Sequence, residues 1–276
     1  AILRAGSRNA PALFKRRIKS AGLEHDKEEE VTAMGEIFGR NPVLEALKAG
    51  TTINKLIVAK GEQKGSIQEI LRLAKEQRVQ VQLVERNKLD KMFAGQNHQG
   101  VAAQIATADY VDWQDMLQAA KDKGEDVLLV ILDELEDPHN LGAILRSVDA
   151  VGAHGVIIPK RRAVPLTDGV AKASAGAVEH VPVARVANIA QTIDELKKRG
   201  VWVAGASMDG REMYGQDLKG PLALVIGSEG KGISRLVSEK CDFLVSIPMR
   251  GKINSLNASV AAGLLLYEAY RQRVMG

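Results

Sequence analysis

The sequence predicts an α/β fold built on a mostly parallel sheet, and three observations carry that reading. Residues 127–132 form a continuous apolar run, as a parallel strand does when helices cover both of its faces. From there to the C-terminus, short apolar runs alternate with helix-like segments, the pattern of strand–crossover–strand units. Two late runs, 222–226 and 243–247, each empty into a glycine-bearing loop. Strands end this way where a ligand meets the carboxyl edge of an open sheet.

At 276 residues the chain has room for two modest domains. Its hydrophobic residues nowhere form a run near membrane-span length, and no signal peptide is evident. A single cysteine, Cys241, excludes an intramolecular disulfide and fits a reducing cytoplasm. The net charge of +4 permits a nucleic-acid partner without establishing one. Aromatic residues are only 4%, which argues against a surface of stacking platforms for single strands.

Residues 1–33 read as a charged, disordered extension: basic up to Lys19, then acidic from Glu24 to Glu30. Residues 34–106 read as a small α/β domain. Pro42 early and Gly50 late frame a first helix, followed by a strand over 53–59 and a helix over 67–77. A strand over 79–84, a short helix over 89–93, a polar turn at His98 and a strand over 101–106 complete it. The polar stretch 107–124, with one amphipathic helix around Trp113 and Met116, reads as the linker. The second domain, 125–276, begins with the strand at 127–132. A helix over 141–151, a strand over 155–159 and the basic cluster Lys160, Arg161 and Arg162 follow. Strands are then expected at 181–183, 201–204, 222–226 and 243–247, with helices over 189–199 and 258–270.

The glycine loops match neither common phosphate fingerprint. Counting from Gly227, Gly232 stands where a Walker loop needs it, but Ile233 follows instead of lysine. The dinucleotide pattern from Gly230 and Gly232 ends on Arg235 instead of glycine. The pocket is therefore nucleotide-like but of another kind.

Three segments carry a more specific signal: 137–146 (DPHNLGAILR), 225–232 (VIGSEGKG) and 247–257 (IPMRGKINSLN). Together, and in this order, they resemble motifs one, two and three of the SpoU (TrmH) branch of the SPOUT methyltransferases. Residues 34–106 are similar to the RNA substrate-binding domain of bacterial 23S rRNA guanosine 2′-O-methyltransferases. The resemblance implies a C-terminal trefoil knot, S-adenosyl-L-methionine as cofactor, a 23S rRNA substrate and a homodimer formed near the C-terminal helix. It implies that backbone groups at Gly227, Ile247 and Leu256 hold the adenosine, with Ile226, Met249 and Ser255 beside it. It further implies a catalytic set of Arg146, Asn140, Glu229, Ser255 and Asn257, with the nearby basic residues, Arg250 and Lys252 included, on RNA phosphates.

Each of these residues has a plainer reading. Ile247 and Leu256 would suit ordinary core packing, Asn140 and Asn257 helix caps, and Arg146 a surface ion pair with Asp149. Attack by a ribose hydroxyl on an activated methyl group needs alignment and proton removal, but no metal. The histidines at 25, 98, 139, 154 and 180 are dispersed, so no zinc site is expected. Methylation at a pyrimidine C5 would need a cysteine nucleophile, and Cys241 reads as a buried small hydrophobe instead. The rival readings are a tRNA ribose methyltransferase and a non-catalytic RNA-binding ribosome-assembly protein.

Overall fold

The computed structural model describes residues 31–32, 35–61, 65–252 and 255–275. The charged extension expected over 1–33 lies outside the described residues except at its end. There Val31–Thr32 (β1) pairs antiparallel with Glu36–Phe38 (β2), so these two residues belong to a strand and not to a disordered extension. The chain divides into two compact units. One holds the described residues up to Ala108 together with Leu166–Asp168, and the other holds Asp109–Pro165 and Gly169–Gly276.

In the first unit, Arg40–Lys48 (α1), Ile53–Ala59 (β3), Ser66–Glu76 (α2), Val81–Val84 (β4), Arg86–Met92 (α3) and Val101–Ile105 (β5) follow β2. The sheet order is β1-β2-β5-β3-β4, and only β3 and β4 run parallel. Val43, Leu44 and Leu47 of α1 and Ile67 and Ile70 of α2 recur at helical spacing and share one core with Leu56, Val58, Val101 and Ala103. A second cluster joins Leu89 and Phe93 to Phe38, Ile57 and Ala102. Each large side chain so buried contributes about 1.5–3 kcal/mol relative to exposure. Leu166 is held in this unit because its carbonyl accepts from Asn54 Nδ2 at 2.8 Å and from the Thr107 amide at 3.2 Å.

The second unit comprises Trp113–Asp122 (α4), Leu128–Asp133 (β6), Pro138–Val151 (α5), Gly155–Pro159 (β7), Asp168–Ala173 (α6, from Gly169 onward) and Val183–Val186 (β8). Ile189–Lys198 (α7), Trp202–Glu212 (β9), Leu222–Gly227 (β10), Arg235–Lys240 (α8), Phe243–Ser246 (β11) and Ala258–Met275 (α9) complete it. Its sheet runs β11-β9-β10-β6-β7-β8 with every pairing parallel. β6 and β10 are buried along their whole length, as their unbroken apolar runs require.

Three expectations differ from the structure, and two short helices were not expected. The stretch 107–124 is not a free linker. Val111 bridges to Ala184, and Trp113, Met116 and Ala120 of α4 are buried in the core of the second unit. The strand expected at 181–183 lies two or three residues later, because Pro182 has no amide to give to a ladder. β9 runs past 204 to Glu212. Its partner β11 jumps from Leu244 opposite Gly205 to Val245 opposite Arg211, so residues 206–210 leave the ladder as a bulge. The short helices α6 and α8 have too few turns to show a period.

Arg273, near the end of α9, donates to the carbonyls of Asp126 (2.7 Å), Val127 (3.1 Å) and Gly220. It ties the end of the last helix to the segments that enter β6 and β10.

Candidate active site

The chain leaves β6 for β7 and β8 on one side, while β10, β9 and β11 lie on the other. The β6–β10 boundary is thus the switch point of the sheet, the place where open α/β sheets bind ligands beyond the carboxyl ends of their strands. Asp133 and Gly227, the last residues of these strands, stand opposite each other in register.

From β6 the chain turns into α5, where Asp137 is the N-cap, accepting from the His139 amide at 2.9 Å, and Pro138 follows in the first turn. The cap role therefore belongs to Asp137. Asn140 sits inside the first turn, 5% exposed, with its side chain free for other work. Its Nδ2 donates to Glu229 Oε1 at 3.0 Å, and its Oδ1 accepts from Asn257 Nδ2 at 2.9 Å. Asn257 Nδ2 also donates to Glu229 Oε1. Motifs one, two and three thus meet in one closed triangle of side chains.

Asn257 combines both of its readings. Its Oδ1 caps α9, accepting from the Ser259 amide (2.9 Å), the Ser259 hydroxyl (2.5 Å) and the Val260 amide (3.3 Å). With the oxygen so engaged, only the amide hydrogens face Asn140 and Glu229. Glu229 is exposed, yet its Oε1 is held by two amides, while its Oε2 has no partner among the described residues.

Glu229 rides on a tight turn. Ser228 and Gly232 exchange two backbone hydrogen bonds of 3.2 and 2.9 Å, and Gly230 and Gly232 take positive φ values of 82° and 67°. A Cβ at Gly227 would lie 2.0 Å from the Gly232 carbonyl carbon and 2.3 Å from the Ile233 nitrogen. The space beside Gly227 is filled by the chain's own turn, not left open for a ligand. Gly142 behaves alike: the space at its α-carbon is taken by Ala173 and Ser174, which a Cβ at 142 would meet at 2.4–2.8 Å.

Arg146 is not drawn into the triangle. It lies six residues beyond Asn140 on α5, about 9 Å along the axis and on another face. It is exposed and makes no ion pair with Asp149 or hydrogen bond with any described residue. Of the residues expected at the cofactor, Ile226 is buried in β10, Ile247 is half-buried, and Met249, Ser255 and Leu256 are exposed. Leu256 is therefore not core. Lys160, Arg161, Arg250 and Lys252 are exposed, whereas Arg162 is paired with Glu134 at 2.7 Å.

His98 is held locally, accepting from the Gly100 amide through Nδ1 and bonded to Asp90 through Nε2 at 2.9 Å. Burial, aided by the charge of Asp242, pushes the Cys241 thiol up to about 11, which makes it a poor nucleophile at neutral pH. Among the described residues no group of His, Cys, Asp or Glu could hold a metal ion, and no helix is long and apolar enough to cross a membrane. Sequence reasoning missed two features of this edge. One is the bulge over 206–210, hidden because nothing in its composition marks a register jump. The other is Asp133, whose only sequence signal is an acid directly ending a buried strand.

The chain matches the model of the SpoU rRNA Methylase family over residues 127–267. It matches the model for RNA 2′-O ribose methyltransferase substrate binding over 37–111. It is 57% identical over 238 residues to YacO of Bacillus subtilis, assigned to the TrmH family of tRNA/rRNA methyltransferases, covering 86% of this chain and 95% of that one. Among solved structures it is similar to the SpoU methyltransferase AviRb of Streptomyces viridochromogenes in complex with AdoMet. That likeness has 27% identity and a TM-score of 0.56, covering 96% of this chain and all of the other. An AdoMet-bound rRNA methyltransferase of Sinorhizobium meliloti is similar at 25% identity and a TM-score of 0.55, with 97% of each chain covered.

Proposed function

We propose, on the premise that this chain belongs to the SpoU rRNA methylase family of RNA 2′-O-ribose methyltransferases, that it methylates the ribose of a guanosine in 23S rRNA. The observation that carries the catalytic assignment is the Asn140–Glu229–Asn257 triangle at the carboxyl ends of β6 and β10. S-adenosylmethionine fits the loops around it. Ile247, Met249 and Leu256 offer apolar surface for an adenine, two of them exposed, and backbone groups at Gly227, Ile247 and Leu256 would hold the adenosine. Ile226 and Ser255 lie in the same segments. When bound, the cofactor supplies an activated methyl group.

The chain's own residues must then orient a poor nucleophile and receive its proton. Glu229 is pinned through Oε1, so its Oε2 is the acceptor offered to a ribose hydroxyl, with Ser255 close in sequence to Asn257 as a further donor. Arg146, unpaired among the described residues, is the group for the adjoining phosphate and the developing alkoxide. Lys160, Arg161, Arg250 and Lys252 supply further phosphate contacts.

The first unit selects the RNA, which the substrate-binding match over 37–111 supports. The wording tRNA/rRNA of the relatives keeps a tRNA substrate as the second reading. An rRNA substrate implies the cytoplasm. Methyl transfer to purified 23S rRNA, but not to bulk tRNA, with the label in 2′-O-methylguanosine, is the expected result. Transfer to tRNA alone would replace the substrate, and transfer to neither would favour the assembly-protein reading.

The trefoil knot is proposed for the C-terminus. Among the described residues β11 pairs with β9 alone, at the sheet edge, whereas α9, which follows it in sequence, packs on α5 and β10. A homodimer through α9 is proposed as well. The small residues of α9 are used within the chain: Ala262 is buried, and Gly263 sits against Ser147. Val260, Leu264, Tyr267 and Val274 instead leave an exposed apolar stripe at helical spacing, with Leu264 40% and Tyr267 53% exposed. Leu264→Asp with Tyr267→Asp should convert the dimer to a monomer by light scattering. A mass unchanged from that of the unaltered dimer, or an unaltered chain that is monomeric, would end this reading.

A further inference from the structure

We infer that Asp133 is a positioning residue for the cofactor loop, acting through the backbone amide of Ser234. The inference rests on the function proposed above.

Asp133 is 5% exposed, and a buried carboxylate is costly unless hydrogen-bonded. Its Oδ2 accepts from the Ser234 amide at 2.7 Å, across 101 residues of chain. Ser234 is the N-cap of α8, but its own side chain caps nothing, so its amide is committed to Asp133. In the sheet, Asp133 stands beside Gly227, the residue at which the turn begins. One carboxylate thus lies next to the start of the turn and holds its exit, closing the loop at its base. The closure has a steric need behind it, since Gly232 and Ile233 must come back against Gly227 for the turn to form.

Glu229, at the tip, has separate tethers on Asn140 and Asn257. Releasing Ser234 should therefore loosen the base, where Gly227 is to hold the adenosine, more than the tip. A merely structural Asp133 would lower melting temperature and every kinetic parameter together. A positioning Asp133 shifts cofactor affinity selectively.

The test is titration of S-adenosylmethionine, with methyl transfer at saturating cofactor, on the full chain and on Asp133→Ala, Asp133→Asn, Ser234→Pro and the alanine–proline double variant. Proline removes the donor while its fixed φ near −65° suits the φ of −61° at Ser234. Losing a charge-assisted bond predicts ~10–100-fold weaker cofactor binding for Asp133→Ala and for Ser234→Pro. Turnover at saturation and the KM for RNA should stay within about threefold. Asparagine keeps an acceptor oxygen and should retain affinity within about tenfold of the unaltered chain. The double variant should be no weaker than the weaker single one, because both remove the same bond. Unchanged affinity in Ser234→Pro, or losses that add in the double variant, would overturn the inference even if Asp133→Ala fails to fold. An unaltered chain that binds no S-adenosylmethionine would instead overturn the proposed function itself.

Discussion

Replacing Arg146 with alanine should lower methyl transfer at least ~100-fold, about 2.7 kcal/mol of transition-state stabilisation, the scale for removing one electrostatic stabiliser. The helix that carries it is anchored independently of the guanidinium. Leu141, Ile144, Leu145 and Val148 are buried, Gly142 packs directly on Ala173 and Ser174, and Asp137 caps the first turn. The substitution therefore removes an exposed charge from a rigid support, and stability should change by less than about 0.5 kcal/mol. S-adenosylmethionine affinity should stay within about tenfold, since the loops proposed to hold the cofactor come from other segments. A guanidinium offers only donors and no acceptor, so a role in orienting phosphate and stabilising negative charge suits Arg146 better than that of a base. Single-turnover assays beside calorimetry measure both quantities. Near-normal turnover, or a folded variant that has lost cofactor binding, would remove Arg146 from its proposed role.

Gly227→Ala should act in the opposite order, destroying cofactor binding first. A single methyl at this position meets the backbone of Gly232 and Ile233 at 2.0–2.3 Å, and backbone cannot rotate away as a side-chain tip can. The turn over 228–232 must open, and Glu229 leaves its amide partners with it. Affinity for S-adenosylmethionine should fall more than ~100-fold, and overpacking of this kind costs about 1–3 kcal/mol. That corresponds to a melting temperature lower by very roughly 2–12 °C for a unit of this size. The two readouts separate the causes. A side chain that only blocked the cofactor would leave the melting temperature alone, whereas one that breaks the turn moves both. A stable variant with near-normal affinity would show that the turn tolerates opening and would sink the prediction.

The same two glycines mark the reach of sequence reasoning. The sequence shows at Gly227 and Gly142 only backbone without a side chain. What it comes close to is the chain itself, through segments brought in by the fold. Within α9, Gly263 likewise sits against Ser147 of the same chain.

Much of the architecture is written locally. Unbroken apolar runs mark β6 and β10, helical spacing marks α1, α2 and α5, and glycines after β10 mark a loop, because burial of one face imposes a period on neighbouring residues. The three motifs likewise name Asn140, Glu229 and Asn257 as a set. Only the tertiary structure decides how they act. The bonds joining them cross 89 and 117 residues, and they make Asn257 a donor as well as a cap and leave Arg146 outside the triangle. The role of Asp133 belongs to the same class. Its hydrogen bond to Ser234 spans 101 residues, and no local pattern encodes a contact whose two halves fold in different strand–loop units.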